Sequence, residues 1–278
     1  MIDWSAASSP GPKRPTADRC WIAWASKDAA AQVEYFRTRH ACMEKLKQLA
    51  TVTKGNVLFA FDFPFGYPTG SKIGGGRKAA ELLSQHLISS ENDKNNRFEV
   101  GSILNRELSA APGPFWGHPK SMEFPNLSWS KPPFIHDEFK EWRLVEHHLK
   151  TFGHRIMNVW QLLGQGSVGS QTLTGLAALH RFSQIKQVNE KVSFWPFDTH
   201  WDKSLAGIIL AEVWPSLSDY NSIDHPIKDA RQVLACLEGL SQKNKENKIS
   251  SFFAAPTCLS KEDKMQCERE EGWILGVT

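Results

Sequence analysis

Asp3, Asp62 and Glu212 each close an apolar run, and Asp229 sits beside the apolar stripe of an amphipathic segment. Carboxylates gathered within a few ångströms repel and raise one another's pKa unless a cation lies among them. Two hard divalent ions held about 3.5–4 Å apart by Asp and Glu oxygens can activate a water and stabilise the leaving oxygen of a phosphodiester. Asp3, Asp62, Glu212 and Asp229 are therefore the candidate catalytic and metal-holding group, and Mg²⁺ or Mn²⁺ is the expected cofactor. The plainer alternative has Asp3 and Asp62 ending strands, Glu212 pairing with an arginine, and Asp229 solvated in the first turn of a helix.

For these acids to meet, the elements before them must deliver them to one edge. Residues 56–61 form a continuous apolar run stopped by Asp62-Phe63-Pro64-Phe65-Gly66, as in a strand buried on both faces. Residues 1–5, 20–25 and 32–38 read as earlier strands and 40–50 as a helix. That order predicts a mixed sheet in which the first and fourth strands lie parallel and adjacent, with Asp3 and Asp62 at their carboxyl ends, where ligands of open α/β sheets bind. Residues 205–214 repeat the theme up to Glu212, and Ile227, Ala230, Val233, Leu234, Leu237 and Leu240 share one face of a following helix. Further helices are expected over 77–89 and 137–151. The stretch 91–131 reads as loop, punctuated by Pro112, Pro114, Pro119 and Pro125. One domain is expected, with a core of about 1–90 and 203–278 and an insertion or cap over about 91–202.

Other motifs bear on ligand binding. Gly164-Gln165-Gly166-Ser167-Val168-Gly169 matches the G-x-G-x-x-G pattern, and 156–163 before it resembles a strand. No second unit of a dinucleotide fold follows. A smaller expectation remains, that Gly164, Gly166, Ser167, Gly169 and Ser170 present N–H groups to an anion, with a tight turn as the alternative. Asn95, Asn96, Arg97 and Glu99 cluster around Phe98, placed to orient a ligand or to cap a helix.

The segments Ile2-Asp3-Trp4-Ser5-Ala6-Ala7-Ser8, Phe61-Asp62-Phe63-Pro64-Phe65-Gly66, Ala211-Glu212-Val213-Trp214-Pro215 and Ile227-Lys228-Asp229-Ala230 resemble the DUF429 family of nucleases with a ribonuclease-H-like fold. The likeness continues through Asn95–Glu99, Trp160-Gln161-Leu162-Leu163-Gly164 and Gly272–Gly276, and some similar sequences carry cobalamin-biosynthesis labels. The resemblance implies a five-stranded α/β core flanked by helices, with acids on the first strand, the fourth strand and the last core helix. These map onto Asp3, Asp62 and Asp229, with Glu212 as an additional acid near the fifth strand. Ser5 and Gln161, inside the matching segments, join Asn96, Arg97 and Glu99 as ligand-binding candidates. Glu44 is the one candidate for a further acid from the first core helix, and the last helix offers no second acid near Asp229.

The 278 residues carry 33 basic and 30 acidic side chains, a net charge of +3, too small to attract a polyanion over the whole surface. No run approaches the roughly 18 apolar residues of a membrane span, and no basic-then-apolar leader opens the chain, so a cytoplasmic protein without membrane contact is expected. Five cysteines without a C-x-x-C pair suggest neither a disulfide framework nor a zinc knuckle. The expected activity is metal-dependent phosphodiester hydrolysis on a nucleic acid or a nucleotide. The rival is a non-catalytic module that binds a nucleotide or another anionic metabolite.

Overall fold

The computed structural model describes residues 1–26, 29–109, 113–201 and 204–278. Along the chain lie β1 (Ile2–Asp3), β2 (Cys20–Trp24), β3 (Gln32–Phe36), α1 (Arg39–Val52), β4 (Val57–Phe61), α2 (Gly76–His86), α3 (Arg97–Leu108), α4 (Leu144–Thr151) and α5 (Gly169–Ser183). There follow β5 (Val192–Phe194), β6 (Ile208–Glu212), α6 (Lys228–Lys245) and α7 (Lys261–Gln266). Pro112 and the expected boundary at 202–203 lie outside the described residues.

The strands make one mixed sheet in the order β3-β2-β1-β4-β6-β5. β1 runs antiparallel to β2 and parallel to β4, with Ile2 opposite Phe61, as the order of elements predicts. β6 runs parallel to both β4 and β5. The sheet has six strands where five were expected, because β5, from the 91–202 segment, pairs along β6. At three residues, β5 is too short to carry a periodic signal of its own.

Alternation along the strands divides two apolar cores. Ile2, Phe59, Phe61, Ile208 and Leu210 enter the core that also holds Leu173 and Leu176 of α5. Met1, Ala60, Ile209 and Ala211 enter the other, with Ala230 and Val233 of α6. Trp4 is fully buried, and its Nε1–H donates to Thr174 Oγ1 at 3.1 Å, which ties the end of β1 to α5.

Two helical expectations need correction. The helix expected from 137 begins at Leu144, where the Glu146 carboxylate reaches back to accept from the Arg143 N–H at 3.0 Å. Upstream, Glu141 is held outside any helix by Trp160 Nε1, which donates to its carbonyl. The 91–131 stretch also contains α3, whose Phe98, Val100 and Leu104 pack into the core, and whose buried Asn105 donates to the carbonyls of Phe115 and Asn126. Four of the five cysteines are buried, Cys258 is exposed, and all five are free. No helix among the described residues is long and apolar enough to cross a membrane.

Candidate functional site

Asp3 and Asp62 each follow the last register pair of β1 and β4, Ile2 opposite Phe61. Since Ile2 and Phe61 point into the α5 core, the next residues leave the sheet on the opposite face. That face is covered by α6, and Asp229 lies in the first turn of α6. The fold thus brings three carboxyls together from three distant segments, and Asp3 is in hydrogen-bond contact with both Asp62 and Asp229.

Backbone donors fix the two outer members. Trp4 N–H donates to Asp62 Oδ1 at 2.8 Å, and Asp18 N–H donates to Asp229 Oδ2 at 2.7 Å. Asp18 adopts a left-handed conformation, φ 57°, to make that contact, a strained choice for a residue with a Cβ. Burial raises the Asp3 carboxyl well above the usual carboxylate range, and the charges of Asp62 and Asp229 add to it. Burial also pushes Asp62 up to about 7, against the pull of hydrogen bonds from Asp3 and the Trp4 N–H. Asp229 is raised by burial too, while the Asp18 N–H pulls it back.

Among the described residues, no group of three or more His, Cys, Asp or Glu side chains is placed so that it could hold a metal ion. The crowding falls chiefly on Asp3, whose carboxyl is pushed toward the protonated form by burial and by its two acidic neighbours. The trio's donor set nevertheless suits a hard divalent cation, because every donor is a carboxylate oxygen. Asp3 and Asp62 are half-buried.

Glu212 does not join this group, and its expected catalytic and metal-holding role is corrected by its register. It pairs across β4 with Phe61, one residue out of phase with Asp62. Its carboxylate is buried and gripped by Arg143, through Nη1 at 2.8 Å and Nη2 at 2.7 Å, with Phe65 N–H as a third donor. Arg143 also donates from Nε to Glu146 and from Nη1 to the Glu271 carbonyl. Burial lifts Glu146 to about 7 against the pull of Arg143, so two acids around one guanidinium need not both be charged. Glu44 is exposed on α1 and pairs with Lys47 at 3.7 Å, away from the trio.

The ligand-binding candidates divide. Ser5 is buried beside the trio's support, accepting from Ala7 N–H and donating to the Asp18 carbonyl. Asn96 is a structural tie, accepting from Ile88 N–H and donating to the His86 carbonyl. Glu99 is exposed in the first turn of α3. Gln161 is buried, donates to the Leu163 carbonyl, and has an Oε1 without a partner. It forms only an isolated bridge to Trp116, so the strand expected over 156–163 is absent.

The glycine motif is mainly a turn. Gly164 and Gly166 take φ of 124° and 70°, which glycine adopts without strain. The N–H of Ser167 is used by the Gly164 carbonyl and that of Gly169 by the Gln161 carbonyl, so neither is presented to an anion as expected. Ser170 Oγ donates to the Leu162 carbonyl and accepts from Arg97 Nε at 3.0 Å.

Sequence reading missed the groups that hold the loop after β1. Arg39, 4% exposed, donates to the carbonyls of Ser5, Ala7 and Asp93 and pairs with the Asp93 carboxylate at 3.5 Å. Nothing in the local pattern marks Arg39, because its partners lie 32 to 54 residues away. Arg143 carries no local mark either, because Glu212 lies 69 residues away. No family model, no curated protein and no solved structure matches the chain.

Proposed function

We propose that the protein is a divalent-metal-dependent phosphodiesterase or nuclease on a ribonuclease-H-like core, in which Asp3, Asp62 and Asp229 hold Mg²⁺ or Mn²⁺. The observation that carries this reading is the contact of Asp3 with both other carboxyls at the carboxyl edge of a parallel strand pair. The reading is also supported by acids at the ends of the first and fourth strands and on the last long helix, the positions that the ribonuclease-H-like resemblance implies. A bound divalent ion would supply a water of lowered pKa and a Lewis acid for the leaving oxygen. The chain's own part is to keep three hard donors crowded and half-desolvated, with Trp4 and Asp18 N–H groups holding Asp62 and Asp229 in place. A net charge of +3 suits a nucleotide or a short strand better than a long duplex.

Hydrolysis of an activated phosphodiester, bis(p-nitrophenyl) phosphate, with and without Mn²⁺ tests the reading. Turnover should require the metal, and Asp3→Asn, Asp62→Asn and Asp229→Asn should each lower it by about 100-fold or more. Turnover untouched in all three variants would overturn the assignment. Nucleotide binding with no turnover under any divalent ion would favour the non-catalytic module.

A further inference from the structure

Two motifs that lie about seventy residues apart meet at Arg97. Its Nε donates to Ser170 Oγ at the start of α5, and its Nη1 donates to Asn95 Oδ1 at 3.0 Å and to Ser8 Oγ on the loop after β1. All three partners are neutral oxygens. Nη2 has no protein partner among the described residues. Among the described residues no acid pairs with the guanidinium: burial drives its pKa down to about 10, and the like charge of Arg39 lowers it further. Arg39 is itself paired with Asp93, so that acid is already engaged. The Phe98 ring, 4.3 Å from Arg97 Cζ, offers only partial compensation.

A half-buried guanidinium without a counterion, fixed on two edges and open on a third, is half of an ion pair. Ser8, exposed beside it, adds a hydroxyl that can turn to an incoming oxygen. The place is tied to the carboxylate edge by the chain itself, since five residues separate Asp3 from Ser8, at most about 18 Å when extended. We propose that Arg97, held in place by Ser170 and with the Ser8 hydroxyl beside it, forms a phosphate subsite that holds a neighbouring phosphate of a phosphodiester strand whose scissile group lies at Asp3, Asp62 and Asp229. The placement relative to a scissile group rests on the proposed function, whereas the phosphate site itself does not.

The test is calorimetric titration of the full chain with inorganic phosphate, with a chelator present so that the carboxylates bind no metal. The wild type should bind one phosphate, Arg97→Ala should weaken it by about ten-fold or more, and Arg97→Lys should fall between them because an ammonium keeps the charge but loses the fork. Ser8→Ala, whose hydroxyl is exposed, guards against a folding defect and should weaken binding slightly. A short single-stranded oligonucleotide should displace the phosphate, and its binding to Arg97→Ala should lose about one unit of salt slope. Phosphate that binds through Arg97 but is not displaced would mark a free-anion site and sink the strand assignment. Phosphate binding that is absent from the wild type, or equal in Arg97→Ala, overturns the inference. Failure of the carboxylate reading would look different, with phosphate bound normally and no metal-dependent turnover.

Discussion

In the absence of a cation, the carboxyls of Asp3, Asp62 and Asp229 oppose the folded state as pH rises. An acid whose folded pKa lies above its unfolded value binds more protons in the native state, so stability declines as pH climbs between the two values. For Asp62 that interval runs from 3.8 to about 7. Asp62→Asn removes the titration and keeps an acceptor for Trp4 N–H. With a chelator present, the variant should therefore match the wild type near about pH 4 and exceed it in melting temperature near about pH 8. Parallel pH profiles for the two proteins would show that folding does not raise the Asp62 carboxyl.

At the scale of elements, close approach and register decide what each residue can do. Gly175 of α5 lies against the Phe63 ring, where a Cβ would stand 2.3 Å from the nearest ring carbon. Gly175→Val should cost about 2 kcal/mol in urea unfolding, because Phe63 is fully buried among Trp4, Phe61 and Phe65 and has no room to yield. Gly239 of α6 has open space around it, and Gly239→Ala should instead add about 0.5–1 kcal/mol. Arg143→Ala would leave Glu212 and Glu146 buried without their cation and should cost about 3–5 kcal/mol in the same assay. The register also shows what was legible in the sequence. Asp3 and Asp62 could be paired because each ends a strand of a parallel neighbouring pair. Glu212 ends its run just as visibly, but its phase relative to Asp62 is set by cross-strand register, which a single run of apolar residues does not carry.

At the scale of the whole molecule, the central sheet and the helix bearing Asp229 were readable because they repeat apolar residues at strand or helix spacing. β5 and α3 were not: three residues are too few for a period, and α3 buries polar Ser102 and Asn105 along with its apolar side chains. The loop clamp by Arg39 and the contact of Arg97 with Ser8 and Ser170 are products of tertiary packing, made between residues 32 to 89 positions apart. The same packing brings together Asp3, Asp62 and Asp229, the acids proposed to hold the metal. Calorimetric titration with Mn²⁺ near about pH 7 is the most direct test of that assignment, because a cation entering the trio competes with protons at carboxyls whose pKa is raised. Binding should be saturable, with a heat that changes with the ionisation enthalpy of the buffer, and it should be lost in Asp3→Asn and Asp62→Asn. Absence of saturable binding, or binding that survives both substitutions without proton release, would contradict the assignment.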